Sequence, residues 1–84
     1  MPDSPTFVIS SAVVTAMPDR VEAVRDRLSE MPDIEVTAAE GIKLVIVLEG
    51  RTRNTVGGRL SEIATLDGVI SANMVFEHVE EGTS

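Results

Sequence analysis

Residues 7–15 (Phe-Val-Ile-Ser-Ser-Ala-Val-Val-Thr) and 44–48 (Leu-Val-Ile-Val-Leu) are apolar at both parities and contain no charged side chain. Side chains alternate across a strand, so a half-solvated strand alternates apolar with polar, and these runs report burial on two sides. Their β-branched content marks them as strands. Ile34, Val36 and Ala38 alternate with Glu35, Thr37 and Ala39, which predicts a strand with one wet face, and Glu40-Gly41 supplies a turn into residues 43–49. The second and third strands therefore form a hairpin. A fourth strand is predicted over residues 69–78, with Ile70, Ala72, Met74 and Phe76 on one face and Val69, Ser71, Asn73, Val75 and Glu77 on the other.

Two stretches carry the helical period instead. Pro18 fits a first helical position, with Asp19 and Glu22 in the first turn, where carboxylates suit the helix dipole. Val21, Val24, Leu28 and Met31 then recur at helical spacing until Pro32 stops the pattern. Thr52 is an N-cap candidate for a second helix lined by Val56, Leu60 and Ile63 and ending near Leu66-Asp67-Gly68. Gly57-Gly58 costs that helix roughly 1 kcal/mol per glycine relative to alanine.

The order strand, helix, strand, strand, helix, strand predicts an α+β fold, the ferredoxin-like βαββαβ sandwich. The doubly apolar strands belong in the centre, which gives an antiparallel sheet of order 4-1-3-2 with both helices on one face. Residues 7–79 form the expected single domain, between a flexible N-terminus (1–6) and a flexible acidic tail (80–84). Two helices cover one sheet face, so the other is predicted to lie open and apolar, and a partner is the simplest cover for it. Alternation leaves open which parity of the central strands points inward. In the last strand the more apolar set marks the inward side, which puts Asn73 and Val75 outward.

With 84 residues the chain has room for one thin core. It has no cysteine, so neither disulfides nor a thiolate metal site enter. Seven basic against fourteen acidic residues give a net charge of −7, which repels nucleic acid and anionic membranes and suits a basic partner. Phe7 and Phe76 are the only aromatics, too few for a base-stacking sheet. No apolar run approaches the ~20 residues of a membrane span and no basic start leads into a signal segment, so a cytoplasmic location is expected.

Candidate chemistry is thin. His78 is the only histidine and has no second soft ligand with which to share a metal. Ser10-Ser11 lacks a base, and Gly57-Gly58 lacks the spacing and the lysine of a phosphate loop. No catalytic residue, metal or cofactor is expected, which leaves a binding surface.

The ordered set Ile9-Ser10-Ser11-Ala12-Val13-Val14, Pro18-Asp19-Arg20-Val21-Glu22-Ala23-Val24, Met31-Pro32-Asp33-Ile34-Glu35-Val36, Lys43-Leu44-Val45-Ile46-Val47-Leu48-Glu49 and Leu66-Asp67-Gly68-Val69-Ile70-Ser71-Ala72-Asn73-Met74-Val75-Phe76-Glu77-His78 resembles the NapD assembly chaperones of periplasmic nitrate reductase. The likeness runs over residues 7–81, with Asp33 where glycine is expected and Phe76 where tyrosine is frequent. It implies a cytoplasmic, non-enzymatic, ferredoxin-like protein. Such a protein binds the twin-arginine signal peptide of the reductase's catalytic subunit and delays its export until the molybdenum cofactor is inserted.

The residues and the resemblance together predict a monomeric peptide binder. Ile9, Ser11, Val13, Val45, Val47, Asn73 and Val75 are the expected contacts, with Glu49 and Glu77 as acidic neighbours for arginines. The alternatives are a homodimer pressed together through the open sheets and a small-ligand regulatory domain. An enzyme on the same face would need His78 in a pocket with a polar partner.

Overall fold

Four strands and two helices follow one another in the predicted order. In the computed structural model, which describes residues 6–81, they are β1 (Thr6–Ala16), α1 (Val21–Ser29), β2 (Ile34–Glu40), β3 (Lys43–Gly50), α2 (Arg53–Ala64) and β4 (Val69–Glu81). The strands form one sheet of order β2-β3-β1-β4, antiparallel throughout, which is the expected order counted from the other edge. β1 begins one residue before the expected domain start, and β4 takes in Glu80 and Glu81, which alternation assigned to the tail. The expectations for residues 1–5 and 82–84 lie outside the described residues.

Even-numbered residues of the central strands turn inward. Val8, Ala12, Val14 and Ala16 of β1 and Leu44, Ile46 and Leu48 of β3 are buried with Val24 and Leu28 of α1 and Val56 and Ile63 of α2. The small Ser10, Ala12 and Ala16 leave room for two helices to lie close against the sheet. Val21, Met31 and Leu60 complete the helical stripes as partly buried neighbours of that core. Both helices thus lie on one side, and the odd-numbered residues of β1 and β3 face away from them.

The helix ends show which local signals acted. Thr52 caps α2, its Oγ1 accepting from the Thr55 N–H at 3.0 Å. Pro18 instead lies in a turn closed by Arg20 N–H to Met17 O at 2.8 Å, and α1 starts three residues later than the proline suggested, capped by Arg20 without a side-chain hydrogen bond. Gly41 supplies the positive φ (58°) that a two-residue hairpin turn needs at its first central residue. Gly68 does the same (90°) where α2 hands over to β4, and a Cβ there would sit 2.7 Å from the Arg20 side chain.

Candidate functional site

The strand registers fix what the helix-free face presents. Residues directly across an antiparallel pair share a face, so from β3 through β1 to β4 the rows are Glu49–Ile9–His78, Val47–Ser11–Phe76, Val45–Val13–Asn73 and Lys43–Thr15–Ser71. Phe7 and Glu80 begin the face below the first row. On the far side β2 adds Glu35 beside Val47 and Glu40 beside Lys43, and also Ala38 beside Val45, which alternation had placed with Ile34 and Val36 and which a register slip between Val36 and Ala38 turns to the open face. The centre of this surface is aliphatic and aromatic, dotted with Ser11, Thr15, Ser71 and Asn73, and the rim is largely acidic.

Ile9, Ser11, Val13, Val45, Val47, Glu49 and Asn73 therefore lie together on the open face. Ile9, Ser11, Val13, Val45 and Val47 are half-buried by neighbouring strands, whereas Glu49 and Asn73 are exposed.

Alternation fails along β4. Its register with β1 slips between Ser11 and Ala12, where Val75 is the extra residue, and again between Thr15 and Ala16. The consequence for Glu77 is a correction: it stands across from the fully buried Ser10, on the helix side, and its Oε1 pairs with Arg53 Nε of α2 at 3.1 Å. Val69, expected outward, likewise packs against the core with Ala72 and Val79. Phe76, expected inward, stands across from Ser11 on the open face and is 58% exposed, and Val75 protrudes at the bulge, 61% exposed. Phe7, Phe76, His78, Glu35 and Glu80 join the face although none was among the expected contacts. Val69, Ala72 and Val79 are three and seven residues apart, both odd, so packing all three against the core requires one bulge in each interval, a demand the sequence alone does not show.

Other polar groups tie the frame together. Asp33, at the foot of β2, accepts from Arg59 Nε of α2 at 2.8 Å, and Arg59 also reaches Glu62 at 3.2 Å. The hydrogen bond to Asp33 raises the Arg59 pKa above its ordinary value. Asp33 O accepts from the Glu49 N–H at 3.0 Å, fixing the β2 foot against β3. An open cleft of about 290 Å³ lies at this end of the sheet, lined by Phe7, Pro32, Asp33, Glu49, Gly50 and Arg51. Among the described residues no three His, Cys, Asp or Glu side chains converge as a metal site would need, and no helix is long and apolar enough to cross a membrane.

Comparison with known proteins gives three findings. A chain from Paracoccus pantotrophus named Chaperone NapD is 42% identical over 71 residues, an alignment that covers 84% of this chain and 63% of the relative. The chain thus spans less than two thirds of that relative's length. The solution structure of the E. coli Tat proofreading chaperone protein NapD superposes with a TM-score of 0.78 at 22% identity, covering 93% of this chain and 84% of that one, and so shares its ferredoxin-like fold. The sequence model of the family described as NapD protein matches residues 7–81, nearly all that the structure describes, and the chain belongs to the NapD family.

Proposed function

We propose that this protein is a chaperone that binds the twin-arginine signal peptide of the periplasmic nitrate reductase catalytic subunit over its helix-free sheet face. Binding there delays export of the precursor until its molybdenum cofactor is in place. The observation that carries this reading is the open face itself: a centre of Ile9, Val13, Val45, Val47 and Phe76 within a rim that includes Glu35, Glu49 and Glu80. A signal peptide joins a basic start to an apolar segment, and both halves find their complement on such a surface. The names of the Paracoccus and E. coli relatives support a chaperone's role.

The magnitudes are adequate. Fully burying one large apolar side chain is worth about 1.5–3 kcal/mol, so Phe76 with the half-buried aliphatics offers several kcal/mol gross. Ordering a flexible peptide costs about 2–5 kcal/mol, and exposed ion pairs of about 0–1 kcal/mol each orient more than they hold. A sheet-to-sheet homodimer would use the same face, but each copy carries a net charge of −7, which favours a cationic partner over a second copy.

Titrating a synthetic twin-arginine signal peptide into the protein tests this. Saturable shifts in the amide resonances of β1, β3 and β4 are expected, with the protein remaining monomeric when dilute. A spectrum unchanged at peptide excess, or a stable dimer at nanomolar concentration, would overturn the reading.

A further inference from the structure

The open face is electrostatically lopsided along the strands. Where β1 starts and β3 and β4 end, Glu35, Glu49 and Glu80 all point to the helix-free side, and none has an ion-pair partner among the described residues. Arg51 and, in the first row of the face, His78 are the basic side chains at that end outside ion pairs, since Arg59 is bound to Asp33 and Arg53 to Glu77 on the helix side. At the opposite end of this face Glu40 stands directly across from Lys43, which offsets its charge, and the next residues along the row are Thr15 and Ser71, while Asp19 and Glu22 lie beside Gly41 and Ile42 where the chain leads into α1 on the helix side.

From Glu49 to Lys43 is six residues of strand, about 20 Å. That is more than two Debye lengths at physiological ionic strength, each about 8 Å, so the Lys43 end of the face lies beyond the reach of Glu49 and Glu80. The acidic end also holds the 290 Å³ cleft, where Phe7 lies beside Glu49. An aromatic face next to a carboxylate suits a planar guanidinium, which stacks on the one and donates to the other.

We infer that a bound signal peptide has a fixed polarity: its arginine pair sits at the Phe7–Glu49–Glu80 end, and its apolar segment runs over Phe76 and Val13 toward Thr15 and Lys43. The peptide then advances in the same direction as β1. This inference rests on the sheet-face reading above and adds a direction to it. It makes Glu49 and Glu80 the residues that distinguish a basic peptide from an equally apolar neutral one.

Paramagnetic relaxation decides the matter, using a synthetic peptide of two arginines followed by roughly ten apolar residues. One version carries a nitroxide at the amino end, the other at the carboxyl end. The amino-terminal label is expected to broaden the amides of Phe7, Ile9 and Glu49, and the carboxyl-terminal label those of Val13, Lys43 and Ser71. The reverse assignment, or equal broadening of both ends by both labels, overturns the polarity while leaving sheet-face binding intact. Broadening confined to α1 and α2 overturns the sheet-face reading itself. In a parallel titration, Glu49→Gln with Glu80→Gln should weaken the peptide about three- to tenfold and flatten its salt dependence, and unchanged affinity would count against the inference.

Discussion

Phe76 stands directly across from Ser11 on the helix-free face, one residue beyond the bulge at Val75. The small serine gives the aromatic ring open space on its β1 side, and nothing else on that face exposes so large an apolar side chain so near its centre. If the peptide binds this face as proposed, Phe76→Arg should weaken it at least about tenfold, because a cation replaces the largest apolar side chain near the centre of the face. Stability should stay within about 0.5 kcal/mol, as for other exposed positions. Calorimetric titration beside urea unfolding checks both, and a variant that unfolds would show that the ring supports the core.

Ser10 is fully buried, and its hydroxyl has no hydrogen-bond partner. Alanine has nearly the same volume and no polar atom to desolvate, so Ser10→Ala should raise stability by about 1–2 kcal/mol. Urea denaturation measures this directly. A loss of similar size would mean that the hydroxyl bonds a trapped water.

Arg59 holds Asp33 between α2 and the foot of β2, and both side chains are less than one-third exposed. Arg59→Ala should cost about 1–2 kcal/mol, since it strands a partly desolvated carboxylate whose Oδ1 is already buried and unpartnered. The pKa of Arg59 is raised on folding, so its contribution is complete below the ordinary arginine value and fades only as pH rises through the raised one. The arginine itself should therefore add no slope to stability between pH 6 and about 10. A double-mutant cycle with Asp33→Asn, measured at several pH values, tests the coupling.

Two glycines near α2 should respond to alanine with opposite signs. At Gly58, inside the helix, an added Cβ meets nothing within 4 Å, so Gly58→Ala should stabilise by about 0.5–1 kcal/mol. At Gly50 a Cβ would lie 2.8 Å from Val56 Cγ2, a buried core atom, so Gly50→Ala should destabilise by about 1–3 kcal/mol. Thermal unfolding of the two variants, run side by side, gives both signs.

The sequence by itself determined the element order, the sheet order and the presence of an uncovered face. Each follows from a short-range pattern: runs such as 44–48 can only be central strands, the Val24–Leu28 and Val56–Ile63 spacings make two helices, and two helices cover one side of four strands. The sequence also marked Thr52 as the α2 cap, because a hydroxyl reaching the third N–H beyond it is a local interaction. Which parity of β1 and β3 turns inward waited for the tertiary structure, since a valine satisfies either face of a strand that is apolar on both. The two slips in β4 waited as well, and with them the exchange of Glu77 for Phe76 on the open face. A bulge arises when one strand must keep Val69, Ala72 and Val79 all against the same helices, and that demand exists only once the helices and β1 are in place.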